Sequence, residues 1–292
     1  MKRQDRYTAI VILSLTQMVL SGTYLMAKLG LREFSPLALG FYRFFITGLA
    51  LTGLLLARGW LHLPQPKDRG LFLLLSFLVV PLNQGLFLYG MNFTLASHGA
   101  LFYATTPLVV FVLSCLFLGE RPTRLKISGL ALGFAGVMIV LWEKGIALSA
   151  GTLRGDLLLI FAVLSWAVYT ILSKKAVAGY PPLYVTAVSL SLGFILFLPA
   201  GIPAALGQDY VMVTGKGIMA VLYLSLLTSV IGYWAWIWGL SKLEASKVTV
   251  LSNLQPIIAA LLAWIFLGEA VTWRFIWGAA AVAAGVFLTE KG

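Results

Sequence analysis

The residues able to do chemistry in this chain are few, and most carry no charge. One cysteine, Cys115, excludes a disulfide framework and a cysteine-based metal site, and two histidines, His62 and His98, leave little for metal catalysis. There is no Gly-x-Ser-x-Gly, no His-Glu-x-x-His and no carboxylate near the centre of any long apolar run. The expectation is therefore a protein that is not an enzyme and holds no metal and no cofactor. What remains is a set of polar side chains embedded in apolar sequence: Gln17, Ser21 and Tyr24, then Asn83 and Gln84, then Tyr103 and Thr106. A second set follows at Ser165, Trp166 and Tyr169, at Ser229 and Trp236, and at Ser252, Asn253 and Gln255. Amides offer both donors and an acceptor, so such a set suits hydrogen bonding to a small polar or zwitterionic molecule.

Those residues need elements to position them, and the composition says which. Of 292 residues, 60% are hydrophobic and 11% charged, with a mean hydropathy of +0.96. Soluble domains run at about 45–50% apolar and about 25% charged, so the solvent for most of this chain is a lipid bilayer. Apolar runs between charged and Gly/Pro punctuation predict ten membrane-spanning helices near 7–27, 36–57, 71–91, 98–118, 126–142, 156–173, 183–200, 217–240, 247–267 and 273–289. Lys2, Arg3 and Arg6 precede a full-length apolar run, which reads as a first span rather than a cleavable signal.

The net charge of +11 suggests nucleic acid at first sight, but its distribution suggests a membrane orientation. With the N-terminus inside, Lys2, Arg3, Arg6, Arg58, Lys67, Arg69, Arg121, Arg124, Lys126, Lys174, Lys175, Lys242, Lys247 and Lys291 fall on inside segments. Lys28, Arg32, Lys144, Arg154, Lys216 and Arg274 fall outside, and Arg43 lies within a helix; 14, 6 and 1 account for all 21 basic residues. Basic residues collect in cytoplasmic loops, so both termini are expected in the cytoplasm and no nucleic-acid partner is expected.

The chain also repeats itself. A shift of 149 residues places Gly90 on Gly239, Ala96-Ser97 on Ala245-Ser246, Pro107 on Pro256, and Phe117-Leu118-Gly119-Glu120 on Phe266-Leu267-Gly268-Glu269. Earlier in each half, Tyr24 and Pro36 match Tyr169 and Pro181 at a shift of 145. Residues 1–142 then form one five-helix half, 143–155 a linker and 156–292 the second half. An odd number of spans per half makes the two run in opposite directions through the bilayer, as in secondary carriers. The predicted fold is all-α, two inverted five-helix repeats around a central cavity.

Ten spans, two related halves, the pattern Pro-(x)11-Gly-Glu closing the fourth and ninth spans, and the second-span run Leu39-Gly40-Phe41-Tyr42-Arg43-Phe44 resemble the EamA-type branch of the drug/metabolite transporter superfamily. The resemblance implies a carrier, often an exporter, of amino acids or other small metabolites. It also implies a cavity lined mainly by spans 1, 3, 4, 6, 8 and 9, the spans that hold the polar set above. The chain departs from the family's two-arginine pattern at Val188, where a seventh-span counterpart of Arg43 would fall.

Several residues admit a structural reading beside the functional one. Mid-depth polar groups also serve as glue between helices. Pro107 and Pro256 break helical hydrogen bonds and are read as hinges beside the binding layer. Arg43, about 10 Å inside its span, either snorkels, binds backbone carbonyls or meets a substrate carboxylate. Glu120 and Glu269 are read as gating or structural groups that stabilise the N-terminus of the next helix. Tyr233, Trp234, Trp236 and Trp238 read as an interfacial aromatic belt, with Trp236 alone turned inward. The small-residue faces Gly129, Gly133, Gly136 and Gly278, Ala281, Gly285 on spans 5 and 10 suggest a packing or homodimer surface. The expected partners are a small-molecule substrate, the lipid bilayer and a second copy.

Overall fold

The structure, a computed structural model, describes residues 3–94, 96–143, 153–258 and 272–292. All regular structure among them is helical. Seven segments are long and apolar enough to cross a bilayer: Arg6–Gly30, Pro36–Ala57, Pro66–Phe93, His98–Phe117, Leu153–Ala176, Pro182–Leu206 and Gly215–Lys242. Helices Arg124–Glu143 and Trp273–Lys291 cover the expected fifth and tenth spans, and a helix starting at Ala245 opens the expected ninth. The remainder of that span, with Glu269, and most of the linker lie outside the described residues.

Burial is arranged for a lipid solvent. Val11, Leu15, Leu49, Leu116, Phe161 and Ile195 are all more than half exposed on outer helix faces, while Gln17, Arg43, Thr47, Ser76, Asn83 and Ser229 are wholly buried. A side chain that cannot be solvated by hydrocarbon turns to the bundle interior. The chain is a multi-pass membrane protein.

Local sequence sets the helix starts. Ser35 caps Pro36–Ala57, accepting from the Ala38 N–H at 3.3 Å with proline in the first turn, and Thr272 caps Trp273–Lys291 through the Phe275 N–H at 3.2 Å. The first and last helices meet at one end of the bundle, where Arg6 binds the Glu290 carboxylate at 3.2 Å and its backbone carbonyl.

Three features depart from simple helices. Leu78–Gln84 and Tyr223–Gly232 are π-helical, and they interrupt the expected third and eighth spans at corresponding places in the two halves. In the first, Pro81 lacks the N–H that the Phe77 carbonyl would receive, and the Ser165 hydroxyl donates to Leu78 O at 2.9 Å. The expected fourth span is broken rather than kinked. It runs Ala96–Tyr103, turns, and restarts at Thr106–Phe117 with Pro107 in the first turn, where a missing N–H costs nothing. The ninth-span segment likewise passes through a 3₁₀ turn at Leu251–Asn253 just before Pro256.

The glycine faces of Arg124–Glu143 and Trp273–Lys291 lie on each other. A Cβ on Gly285 would stand 2.5 Å from Gly133 N and 2.6 Å from Gly129 O, and one on Gly136 would stand 2.6 Å from Gly278 O. Only glycine permits backbones this close. These faces bury each other within one chain, the packing alternative of the sequence reading.

Candidate functional site

The interior holds a cavity with about 740 Å³ of free space, counting its open mouth. Its wall includes Tyr24, Arg43, Gln84, Phe87, Tyr103 and Thr106 from the first half of the chain, and Trp166, Thr228, Tyr233, Trp236, Ser252, Gln255 and Pro256 from the second. No Asp or Glu lines it among the described residues.

Two aromatic clusters, one from each half, contribute six residues to the wall. Tyr24, Phe87 and Tyr103 pack edge to face with ring centroids 5.6–6.2 Å apart. Trp166 sits against Tyr169, Tyr233 and Trp236 at 5.4, 5.1 and 5.5 Å. Such pairs hold large apolar surfaces in fixed orientation. The Trp236 indole N–H donates to Thr170 Oγ1 at 3.3 Å, which fixes the ring. Tyr233 corrects the interfacial-belt reading: it is buried at the cavity wall, whereas Trp234 and Trp238 stack on each other at 6.4 Å on the opposite side of the helix. Residues four apart share a face, and that face is outward for 234 and 238.

Between the clusters lies Arg43. It has no exposed surface and does not snorkel. Its Nε donates to Ser229 Oγ at 2.9 Å and its Nη1 to Gln84 Oε1 at 2.6 Å, and its guanidinium carbon lies 5.1 Å from the Phe44 ring centre and 6.0 Å from that of Tyr233. Gln84 and Tyr233, which flank it, are separated by the 149-residue repeat spacing, as are Phe87 and Trp236.

Most of the remaining sequence-predicted residues stand behind this wall. Asn83 is fully buried and donates to the Tyr103 hydroxyl at 3.0 Å and to Ala162 O at 2.7 Å, while its own oxygen accepts from Gln84. It positions two wall residues instead of lining the cavity. Gln17 donates to Leu13 O and accepts from Gln255 Nε2 at 2.8 Å, and Gln255 Oε1 accepts from the Tyr24 hydroxyl at 3.2 Å. Ser21 bonds Met18 O, Ser165 bonds Leu78 O, and Tyr169 pairs with Ser189. Ser252 lines the cavity but spends its proton on Thr249 O. Asn253 faces the glycine helix at Gly133, and Pro107 is buried just behind Thr106. Sequence reasoning missed Phe87, Tyr233 and Thr23 as wall residues; for the first two, the repeat spacing to Trp236 and Gln84 was the available signal.

Glu120 lies far from the cavity, at the end of the bundle. Gly119 takes a positive φ of 70°, and the Glu120 N–H then returns to Ser114 O at 3.2 Å, closing helix Thr106–Phe117. The turn aims the carboxylate at the Ala245 N–H, 2.7 Å away, and at the Ser246 hydroxyl. The helix it caps is therefore in the other half, which corrects the expectation that it caps the next one. Lys126 adds an ion pair to Glu244 beside it.

Comparison with known proteins agrees with this architecture. The model of the EamA-like transporter family matches twice, over residues 8–142 and 153–290. An uncharacterized transporter of Archaeoglobus fulgidus is 31% identical over 96% of each chain, and the uncharacterized transporter YcxC of Bacillus subtilis is 25% identical over 98% of this chain and 94% of its own. A solved crystal structure, 20% identical, superposes with a TM-score of 0.80 over 97% of this chain and 98% of the other, and so shares the fold. With two family matches that together span nearly its whole length, the chain belongs to the EamA-like transporter family, a family of membrane transporters.

Proposed function

We propose that this protein is a secondary carrier in the cell (inner) membrane that exports small zwitterionic, neutral or amphipathic metabolites, amino acids among them, by alternating access. In this reading the chain has ten spans in two inverted halves, with both termini in the cytoplasm. The observation that carries the proposal is the cavity: helices of both family-matched segments enclose it, and each supplies one aromatic cluster to its wall. Carriers built from repeats bind at the interface between them, near mid-membrane. The broken helices at Tyr103–Thr106 and Leu251–Asn253 lie beside the cavity, where irregular backbone is tolerated in a membrane.

Counterflow in proteoliposomes tests it. A carrier loaded with unlabelled amino acid accelerates uptake of the labelled form; a channel shows no such trans-stimulation. Orientation is tested separately in a Cys115→Ser background with single cysteines at Thr123 and Thr272. Labelling from opposite sides is expected, and labelling of both from one side contradicts the inverted arrangement.

A further inference from the structure

We propose that Arg43 is the docking point for a carboxylate of the transported molecule, so that the substrate class is organic monoanions and zwitterions with an apolar or aromatic body. This rests on the carrier reading and narrows it.

Arg43 is a fully buried cation without a counterion among the described residues. Guanidinium stays protonated in proteins, so burial does not remove its charge. Its acceptors Gln84 Oε1 and Ser229 Oγ are neutral, as is the Tyr233 hydroxyl that interacts with the guanidinium, and Nη2 makes no well-formed hydrogen bond among the described residues. The ion pairs among the described residues lie at the two ends of the bundle: Arg6 with Glu290, His98 with Asp156, and Lys126 and Lys247 with their glutamates. An unpaired charge in a low-dielectric interior is costly, and structures normally place an opposite charge against it. Here a cavity whose wall holds no carboxylate among the described residues stands where that charge would be.

The surrounding groups fit the other parts of such a ligand. Thr106 Oγ1, on the wall, is buried without a partner among the described residues, and the Tyr103 hydroxyl accepts from Asn83, which leaves its own proton to donate. With Arg43 these groups provide donors from two helices, as a carboxylate with four lone-pair sites requires. Gln84 covers the guanidinium in this conformation. A carboxylate that displaces its amide oxygen exchanges a neutral acceptor for an ionised one, which forms roughly twice as strong a bond. The Trp166 and Trp236 faces suit the apolar body and, in a zwitterion, the ammonium group. A ligand carrying positive charge alone meets repulsion from Arg43, so the same residue excludes organic cations.

The test uses two matched pairs on the purified full-length protein: 3-phenylpropionate against 3-phenylpropionamide, and L-phenylalanine against L-phenylalaninamide. Ligand-induced shifts in melting temperature report binding by mass action. The acid of each pair is expected to bind at least tenfold more tightly than its amide, Arg43→Lys to keep that preference, and Arg43→Gln to lose it. Should Arg43→Gln fail to fold, the wild-type pairs and Arg43→Lys still decide. Equal binding of acid and amide, tighter binding of the amides, or binding of neither member of either pair overturns the proposal. Counterflow with the same four compounds separates the two readings. Acid-selective binding without trans-stimulation leaves Arg43 as the docking point and sinks the carrier, whereas equal trans-stimulation by acids and amides keeps the carrier and sinks the docking point.

Discussion

The Glu120 carboxylate accepts a hydrogen bond from the Ala245 N–H at 2.7 Å, joining the end of one half's helix to the start of the other's. A helix of six residues, Ala245–Val250, begins at that contact. Its first N–H groups have no intrahelical acceptors, and the ionised carboxylate supplies one. Glu120→Ala is expected to lower stability by about 0.5–2 kcal/mol, the usual range for a lost cap. Thermal melting in detergent measures it, and an unchanged melting temperature would show that water replaces the carboxylate without loss.

Glu33 holds the opposite end together. Its carboxylate accepts from the Thr214 N–H at 2.8 Å, the Thr214 hydroxyl at 2.7 Å and the Gly217 N–H at 3.1 Å. These bonds, the Thr214 N–H first, hold its pKa below the ordinary carboxylate range. A group depressed in the folded state stabilises it above the unfolded pKa of about 4.3, and that contribution is lost as pH falls through the folded value. Melting temperature should therefore fall on acidification below about pH 4.3, and Glu33→Gln should flatten that part of the profile. Identical acid limbs in both proteins would remove Glu33 from the account.

Asn83 and Gln255 separate scaffold from wall. Asn83→Leu leaves the Tyr103 hydroxyl and Ala162 carbonyl without a donor, with an expected loss of about 1–3 kcal/mol in stability. Gln255→Met removes a wall amide and is expected to weaken ligand affinity roughly 2- to 150-fold, from about 0.5–3 kcal/mol. Melting and binding on the same two variants check this. A stable Asn83→Leu that loses binding would put Asn83 in contact with the ligand.

Gly285→Val tests the glycine contact between the fifth and last helices. Its Cβ would meet backbone at 2.5–2.7 Å, which cannot yield as a flexible side chain does. Overpacking of this kind costs about 1–3 kcal/mol. A variant as stable as wild type in detergent melts would mean that the two helices separate freely.

Much of this was legible in the sequence, for identifiable reasons. Apolar run length marked the seven spans because hydrocarbon thickness fixes it, and the repeat spacing paired Pro107 with Pro256. Side-chain direction was less legible. Gln84 and Asn83 are neighbours of one type, yet one faces the cavity and the other the Leu153–Ala176 helix. They lie in a π-helical segment, where the 3.6-residue rule for assigning faces fails. Tyr233 was misread for the same reason, since it follows the second π segment directly. Arg43 was placed by its run, but its lack of a counterion is a property of five helices together and leaves no trace in spacing.

The glycine contact also sets a timetable for synthesis. Gly133 and Gly285 touch across the bundle but lie about 150 residues apart in the chain. At translation rates of about 5–20 residues per second, helix Arg124–Glu143 is made roughly 8–30 s before its partner exists. During that interval its glycine groove faces lipid or another membrane helix. The packing of helix Arg124–Glu143 is therefore incomplete until Trp273–Lys291 has been made.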